Sequence, residues 1–183
     1  MTRIFDILFS FFGLVLLSPI LIVLITIGYF DTGSPIFRQE RLGKVKKPFC
    51  LMKLRSMHIN APSVATHLAN ASSITPFGSF LRKSKLDELP QLFNVFIGDM
   101  SLVGPRPNLF NQEELIQERD LRGVYSVRPG ITGLAQINKI DMSTPQLLAE
   151  TDAKMIDHLN VWYYFKYIFL TVFGKGFGDR VRK

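Results

Sequence analysis

The sequence has a single cysteine, Cys50, and only three histidines in 183 residues. One thiol excludes an intramolecular disulfide and any multi-thiolate metal centre. His58, His67 and His158 are scattered, with no i, i+4 pair of the kind that seats zinc on a helix. Acidic residues are also few: 15 Asp and Glu against 22 Lys and Arg leave a net charge of +7. That excess calls for an acidic partner, whether nucleic acid, an anionic membrane or phosphorylated ligands. Charge of either sign reaches only 20%, while 47% of residues are apolar, which excludes a disordered tail or a fibrous repeat. Long linkers, low-complexity tracts and internal repeats are missing too, and the length suits one domain.

What is present is an uneven apolar surplus. From Ile7 to Phe30, 24 consecutive residues carry no charge, and at ~1.5 Å per residue such a helix reaches across a ~30 Å hydrocarbon layer. The run is too long for the ~7–15-residue core of a signal peptide, and no A-x-A-like cleavage site follows it. A buried soluble helix is disfavoured because a domain of this size cannot surround so long an apolar rod. Ser18-Pro19 interrupts the run. Pro19 cannot donate to the carbonyl of Val15 and its ring clashes there, so the helix is expected to break or kink. The two limbs, of 11 and 12 residues, would each measure roughly 17 Å. Two topologies satisfy this pattern: a hairpin that enters and leaves by one face, and a kinked transmembrane helix. The flanks favour the hairpin, because Arg3 precedes the run and Arg38, Arg41, Lys44, Lys46 and Lys47 follow it, so neither end reads as translocated.

Beyond Asp31 the composition is that of a mixed domain. Pro35–Arg38 and Phe49–Met57 read as short strands joined by the basic turn 44–47. Lys53 and Arg55, two apart, would share one strand face and could grip an anion, or simply be solvated there. Residues 61–75 are small and polar and read as a surface loop. Ser143-Thr144-Pro145 opens a helix with a hydroxyl cap and proline at its first position. The aromatic stretch 161–170 reads as a helix lying at a membrane interface, with a core helix as the alternative.

The most informative stretch is Ser84-Lys85-Leu86-Asp87-Glu88-Leu89-Pro90. Proline is tolerated in the first helical turn, so Pro90 predicts a helix starting near Leu86 or Asp87, with both carboxylates at its N-terminus. Ser84 with Asp87 also resembles an ordinary capping box. The surrounding cations argue for more than capping: Arg82, Lys83 and Lys85 precede the pair, and Arg106 follows in the stiff turn Gly104-Pro105-Arg106-Pro107, suited to bidentate phosphate recognition. Arg128 stands in a further turn, Val127-Arg128-Pro129-Gly130-Ile131-Thr132-Gly133, whose backbone N–H groups could nest an anion.

The Ser-Pro-broken N-terminal run, KLDELPQLFNVFIGDMSLVGPRP and VRPGITGLAQIN occur here in the order found in bacterial sugar transferases of the monotopic polyprenol-phosphate phosphoglycosyl transferase family. The sequence resembles that family from about Arg3 to Val181, in its small form consisting of the catalytic unit alone. The resemblance implies transfer of a sugar 1-phosphate from a UDP-sugar to undecaprenyl phosphate, with release of UMP, as the first membrane step of bacterial glycan assembly. It implies Asp87 as nucleophile, forming an aspartyl phosphosugar, and Glu88 as the residue assisting proton transfer from the lipid phosphate. It implies a divalent ion, Mg²⁺ or alternatively Mn²⁺, held by Asp87 and the diphosphate. Arg106 becomes the phosphate clamp, with Lys53, Arg82 and Arg128 as further phosphate-binding cations. The expected architecture is α+β and predominantly helical: a re-entrant membrane anchor over 1–30 broken at Ser18 and Pro19, then a membrane-associated catalytic domain over 31–183 with an interfacial helix near 161–173. Its expected place is the cytoplasmic face of the bacterial inner membrane, as a monotopic protein.

The expected partners are a UDP-sugar, undecaprenyl phosphate and anionic lipids; an oligomer is left open. Nucleic acid is not expected, because the cations sit in Pro/Gly turns and beside the membrane run without a nucleic-acid-binding motif. Leu134 after Ile131-Thr132-Gly133, and Lys139-Ile140-Asp141 after Asn138, depart from the family's usual Trp and Gly-Arg-Asn, which leaves the choice of sugar open. Two rival functions remain: a membrane-bound phosphohydrolase of nucleotide sugars and a non-catalytic lipid-binding scaffold.

Overall fold

The computed structural model describes residues 2–61 and 71–173. Most of the expected 61–75 loop and the end of the expected catalytic domain therefore lie outside the described residues. The fold is mixed and mainly helical, with two small two-stranded sheets.

The apolar run forms a single helix, α1 (Thr2–Thr32), which passes the expected 30/31 boundary. It is long and apolar enough to cross a membrane. The helix continues through Pro19 instead of separating into two. A physical reason is local: the Ser18 hydroxyl donates to Val15 O at 2.7 Å, occupying the carbonyl that proline leaves without an N–H. Both ends of α1 are fastened to the rest of the chain. Arg3 donates to Val95 O (2.6 Å) and Phe96 O (2.9 Å), while buried Asp6 accepts from Ser101 Oγ, Leu102 N and Tyr164 Oη at 2.8–2.9 Å. At the far end Leu24 packs with Leu54 and Leu81, and Asp31 accepts from Thr75 Oγ1 at 2.7 Å. Between these anchorages Val15, Leu16, Ile20, Ile22 and Val23 are exposed.

Strands β1 (Ile36–Leu42) and β2 (Pro48–Leu54) form an antiparallel hairpin around a 3-10 turn at Lys44–Lys46. Paired residues share a face, so the register Phe37↔Lys53, Gln39↔Leu51 and Arg41↔Phe49 puts Arg41 and Lys53 on the same side. Arg55 continues that pairing, its N donating to Pro35 O at 2.7 Å, and keeps to the Lys53 side as expected: its guanidinium lies over the ring of Phe37, the residue paired with Lys53, and its Nε donates to Ser34 O at 2.7 Å.

Helix α2 (Pro76–Ser84) starts at Thr75, whose Oγ1 accepts from Gly78 N at 2.8 Å. It ends at Lys85, in the left-handed conformation at φ 58°. A 3-10 turn over Leu86–Glu88 and Pro90 then lead into α3 (Gln91–Ile97). The expected helix thus begins later than Leu86 or Asp87, and the dyad occupies the tight turn ahead of it. Ser84 is no capping-box residue either. It lies in the last turn of α2 and donates back to Phe80 O and Leu81 O.

Strands β3 (Ser101–Val103) and β4 (Gly130–Thr132) pair in parallel across a connection containing α4 (Glu113–Leu121). A Cβ on Gly104 would lie 2.5 Å from Arg128 O, and one on Gly130 would lie 2.0 Å from Gly104 N. Glycine at both positions lets the 104–107 and 127–133 turns touch backbone to backbone, closed by Gly104 N→Thr132 O and Gly130 N→Pro105 O at 2.8 Å. Helices α5 (Leu134–Ile137), α6 (Pro145–His158) and α7 (Val161–Val172) complete the described chain. Pro145 does open α6, but no side-chain cap precedes it: Thr144 Oγ1 donates to Asp141 O instead. Helix α7 is capped by Asn160, buries Tyr164 and Tyr167 against Val103 and Met155, and exposes Trp162, Phe169 and Val172.

Candidate active site

Asp87 and Glu88 stand where three separately built pieces meet: the 3-10 turn between α2 and α3, the inner face of β2, and the 104–107 turn. The Phe49 and Leu51 side chains pack with Val95 and Met100 and hold the hairpin face against α3. Lys53, next on that face, reaches Glu88 Oε1 at 3.1 Å. Arg106 NH2 comes from the opposite turn to the same oxygen at 3.2 Å. Arg82, in the last turn of α2, is close enough to interact with both carboxylates; its Nε donates to Ser56 Oγ at 2.8 Å. Its NH1 is buried without a partner among the described residues. Three of the four predicted phosphate-site residues and the dyad's second carboxylate therefore gather around Asp87, which is only 4% exposed.

The electrostatics separate the two carboxyls. Burial pushes Asp87 above the ordinary aspartate value, against the pull of Lys53 and with a further push from Glu88. For Glu88 burial acts in the same upward direction, but Lys53 and Arg106 together outweigh it and hold the group below its usual value. Burial lowers Lys53 despite its carboxylate neighbour, and it lowers Arg82 as well. Three cations against two carboxylates leave a positive surplus in a poorly solvated place, with the Arg82 NH1 donor lacking a partner among the described residues, a setting that favours an anion.

Arg128 is committed elsewhere: its Nε donates to Gly98 O at 2.7 Å, tying the 127–133 turn to the end of α3. Ser18 and Pro19 belong to α1 and touch none of these groups in the recorded hydrogen bonds. Behind Arg106 the fold has a brace that the sequence reading did not single out. Buried Arg119 donates from NH1 to Arg106 O (2.8 Å) and Asn108 Oδ1 (2.9 Å), and from Nε and NH2 to Asp152 Oδ2 (3.1 and 2.6 Å). Arg41, also overlooked as one of several flanking cations, is buried on the Lys53 side of the hairpin. Burial and the neighbouring Arg106 push its guanidinium down to about 9. The even spacing of Arg41 and Lys53 across a tight basic turn was the available signal for Arg41.

A family model described as bacterial sugar transferase matches residues 1–176. The chain belongs to the bacterial sugar transferase family. The UDP-glucose:undecaprenyl-phosphate glucose-1-phosphate transferases of Klebsiella pneumoniae and Escherichia coli (strain K12) are 44% and 40% identical to it, each over 96% of this chain and 40% of the relative. The uncharacterized sugar transferase EpsL of Bacillus subtilis (strain 168) is 39% identical over 93% of this chain and 84% of its own length. The chain thus spans about two fifths of the first two relatives. For this bacterial sugar transferase the matched region contains the whole Lys53, Arg82, Asp87, Glu88 and Arg106 cluster.

Among the described residues no three His, Cys, Asp or Glu side chains gather as a metal cage. A magnesium site of the kind completed by substrate phosphates needs only one or two protein carboxylates, and Asp87 meets that requirement.

Proposed function

We propose that this sugar transferase moves a sugar 1-phosphate from a UDP-sugar to undecaprenyl phosphate, through a covalent intermediate on Asp87. The observation that carries this is a buried carboxylate, Asp87, beside a second carboxylate and three converging cations, on a domain fastened to a long apolar helix. The activities for which the UDP-glucose relatives are named support the substrate class.

In the first step an Asp87 carboxylate oxygen attacks the sugar-bearing phosphorus. The bond from that phosphorus to the bridging oxygen breaks, and UMP departs with that oxygen and its electron pair. In the second step an oxygen of undecaprenyl phosphate attacks the same phosphorus, the acyl phosphate bond breaks, and Asp87 is regenerated as a carboxylate. Lys53, Arg82 and Arg106 offset the negative charge that otherwise keeps an anionic nucleophile from a diphosphate. Glu88 holds Lys53 and Arg106 in place and accepts a proton from the lipid phosphate when that group arrives protonated. Magnesium bound by Asp87 and the diphosphate would supply further charge neutralisation.

The membrane placement is read as re-entrant, with the catalytic domain at the cytoplasmic face. Both terminal parts of α1 are held by the same domain, through Arg3 and Asp6 at one end and Leu24 and Asp31 at the other. A helix delivering one end to the opposite leaflet could not keep both sets of contacts. The exposed Trp162, Phe169 and Val172 of α7 suit the same interface, and anionic lipids suit the net positive charge.

The test is to incubate the purified protein with magnesium, undecaprenyl phosphate and a panel of UDP-sugars. UMP release is expected only with the lipid and a matching sugar, and Asp87→Asn is expected to abolish it. UMP release that ignores the lipid would point to a hydrolase, and none with any sugar nucleotide to a scaffold.

A further inference from the structure

We propose that Arg41 binds the phosphate of the departing nucleotide, extending the cation row beyond Arg106; the assignment rests on the transferase reading above. Three observations converge on it. Arg41 lies on the same hairpin face as Lys53, four residues along β1 from Phe37, the residue paired with Lys53. At about 3.4 Å per residue that places its backbone roughly 14 Å from Phe37, well along the face from Lys53. Contact with the 104–107 turn is direct: Arg41 NH1 donates to Pro107 O at 3.3 Å, and NH2 donates to Gln39 Oε1 at 2.5 Å.

The second observation is that the guanidinium is unfinished. Arg41 is 8% exposed, yet its Nε has no hydrogen-bond partner among the described residues, and its recorded hydrogen bonds go to a carbonyl and an amide oxygen, neither of them charged. A buried cation normally finds a counter-ion, because desolvation otherwise opposes its charge. Here the nearest strong charge is Arg106, another cation that repels it. An anion beside Arg41 would satisfy its Nε and offset that repulsion.

The third is the order of groups along the site. Asp87 attacks the sugar-bearing phosphorus, so that phosphate must lie against the dyad, with Lys53 and Arg106 around it. The second phosphate lies one bridging oxygen farther out, and breaking the bridge leaves new negative charge on that oxygen. Arg41, which touches the turn carrying Arg106 through Pro107 O, is the further cation at hand for that charge. A small recess opens beside the same turn, lined by Leu42, Pro105, Arg106, Pro107, Tyr125 and Pro129.

The experiment compares binding of UMP and of uridine to the wild-type protein and to Arg41→Gln and Arg41→Lys, in detergent, with UMP release measured in parallel. If Arg41 contacts the phosphate, Arg41→Gln weakens UMP about 10-fold to 100-fold and leaves uridine unchanged. Arg41→Lys keeps the charge but not the fork, and is expected to fall between the two. Should Arg41→Gln fail to fold, the Lys variant carries the test: wild-type affinity for UMP in that variant overturns the proposal. Equal loss of UMP and uridine in either variant also overturns it, because that pattern marks a support for the 104–107 turn. If the wild-type protein binds neither UMP nor any UDP-sugar, the transferase reading itself fails; if it binds UMP and Arg41→Gln binds it equally well, only the Arg41 assignment does.

Discussion

Removing one member of the buried Arg119–Asp152 pair should cost far more than removing both. Arg119 is 2% exposed and Asp152 is fully buried, and two of the guanidinium nitrogens bond to Asp152 Oδ2. In Asp152→Ala the guanidinium stays buried without a counter-charge, a change worth about 3–5 kcal/mol. For a chain of this length about 2–4 °C is lost per kcal/mol, so the unfolding midpoint should drop by roughly 6–20 °C. The pair itself is a weak source of stability. Burial raises the Asp152 carboxyl above its ordinary value even though Arg119 pulls it down. Its titration therefore contributes stability that is complete below the unfolded-state pKa and is lost as pH rises through the folded-state pKa, so at neutral pH ionisation is a net cost. The double variant Arg119→Met/Asp152→Leu should accordingly unfold within about 1 kcal/mol of wild type. Activity should behave differently. The double variant leaves Arg106 O and Asn108 Oδ1 without their Arg119 donor, so UMP release should fall there although stability is kept, whereas Asp152→Ala retains that donor. Thermal unfolding in detergent, read beside UMP release, separates the two effects. An Asp152→Ala midpoint within about 2 °C of wild type, or a double variant no more stable than the singles, would refute the reasoning.

Three further outcomes follow from the site. Lys53 holds the raised Asp87 carboxyl down, and the reactive form is the carboxylate, so activity is lost as pH falls through the Asp87 pKa. Lys53→Met should move the acid limb of the UMP-release profile to higher pH, and an unmoved limb would contradict the pairing. Arg106→Ala should lower UMP release by about 10²–10³-fold, and Arg106→Lys should stay below wild type if the guanidinium fork is used; complete rescue by lysine would remove the bidentate role. Thr2→Cys and Ser34→Cys, each made with Cys50→Ser, should label from the same side of sealed vesicles, and labelling from opposite sides would rule out the re-entrant anchor.

The dyad, Arg106 and the apolar run were legible because each is a local signal: adjacent carboxylates before a proline, an arginine between two prolines, an uncharged stretch. Helical content and the presence of two strands were legible for the same reason. The exact turn around Asp87 was not. Pro90 correctly marked a helix start nearby, but Lys85 adopts a left-handed conformation that ends α2 and leaves space for a 3-10 turn before α3. Arg128 illustrates a different limit: its turn was recognised, yet the direction of its side chain depends on the Gly104–Gly130 contact, which joins residues far apart in sequence. Asp6, Arg41, Arg119 and Asp152 were missed because an isolated charged residue in a helix or strand carries no local mark of a buried partner that arrives from another element.

Those long-range charges also tie the long apolar helix to the candidate site. Arg3 donates to Val95 O and Phe96 O, carbonyls in the last turn of α3, where a cation is favoured by the helix dipole. Gly13 leaves space against the same helix, since a Cβ there would lie 3.2 Å from Leu92 Cδ1. Helix α3 is thus gripped along its length by the first limb of α1, and its first residue, Gln91, is three positions after Glu88. The second limb reaches the other side of the dyad: Leu24 packs with Leu81 of α2, and Leu86 and Leu89 on either side of Asp87-Glu88 pack against the same cluster. The two limbs therefore hold the turn that carries the carboxylates from both directions. On the proposed transfer, an acceptor whose phosphate sits at the headgroup level would need Asp87 fixed at a defined depth, and the long apolar helix and the turn that carries Asp87 form one packed unit.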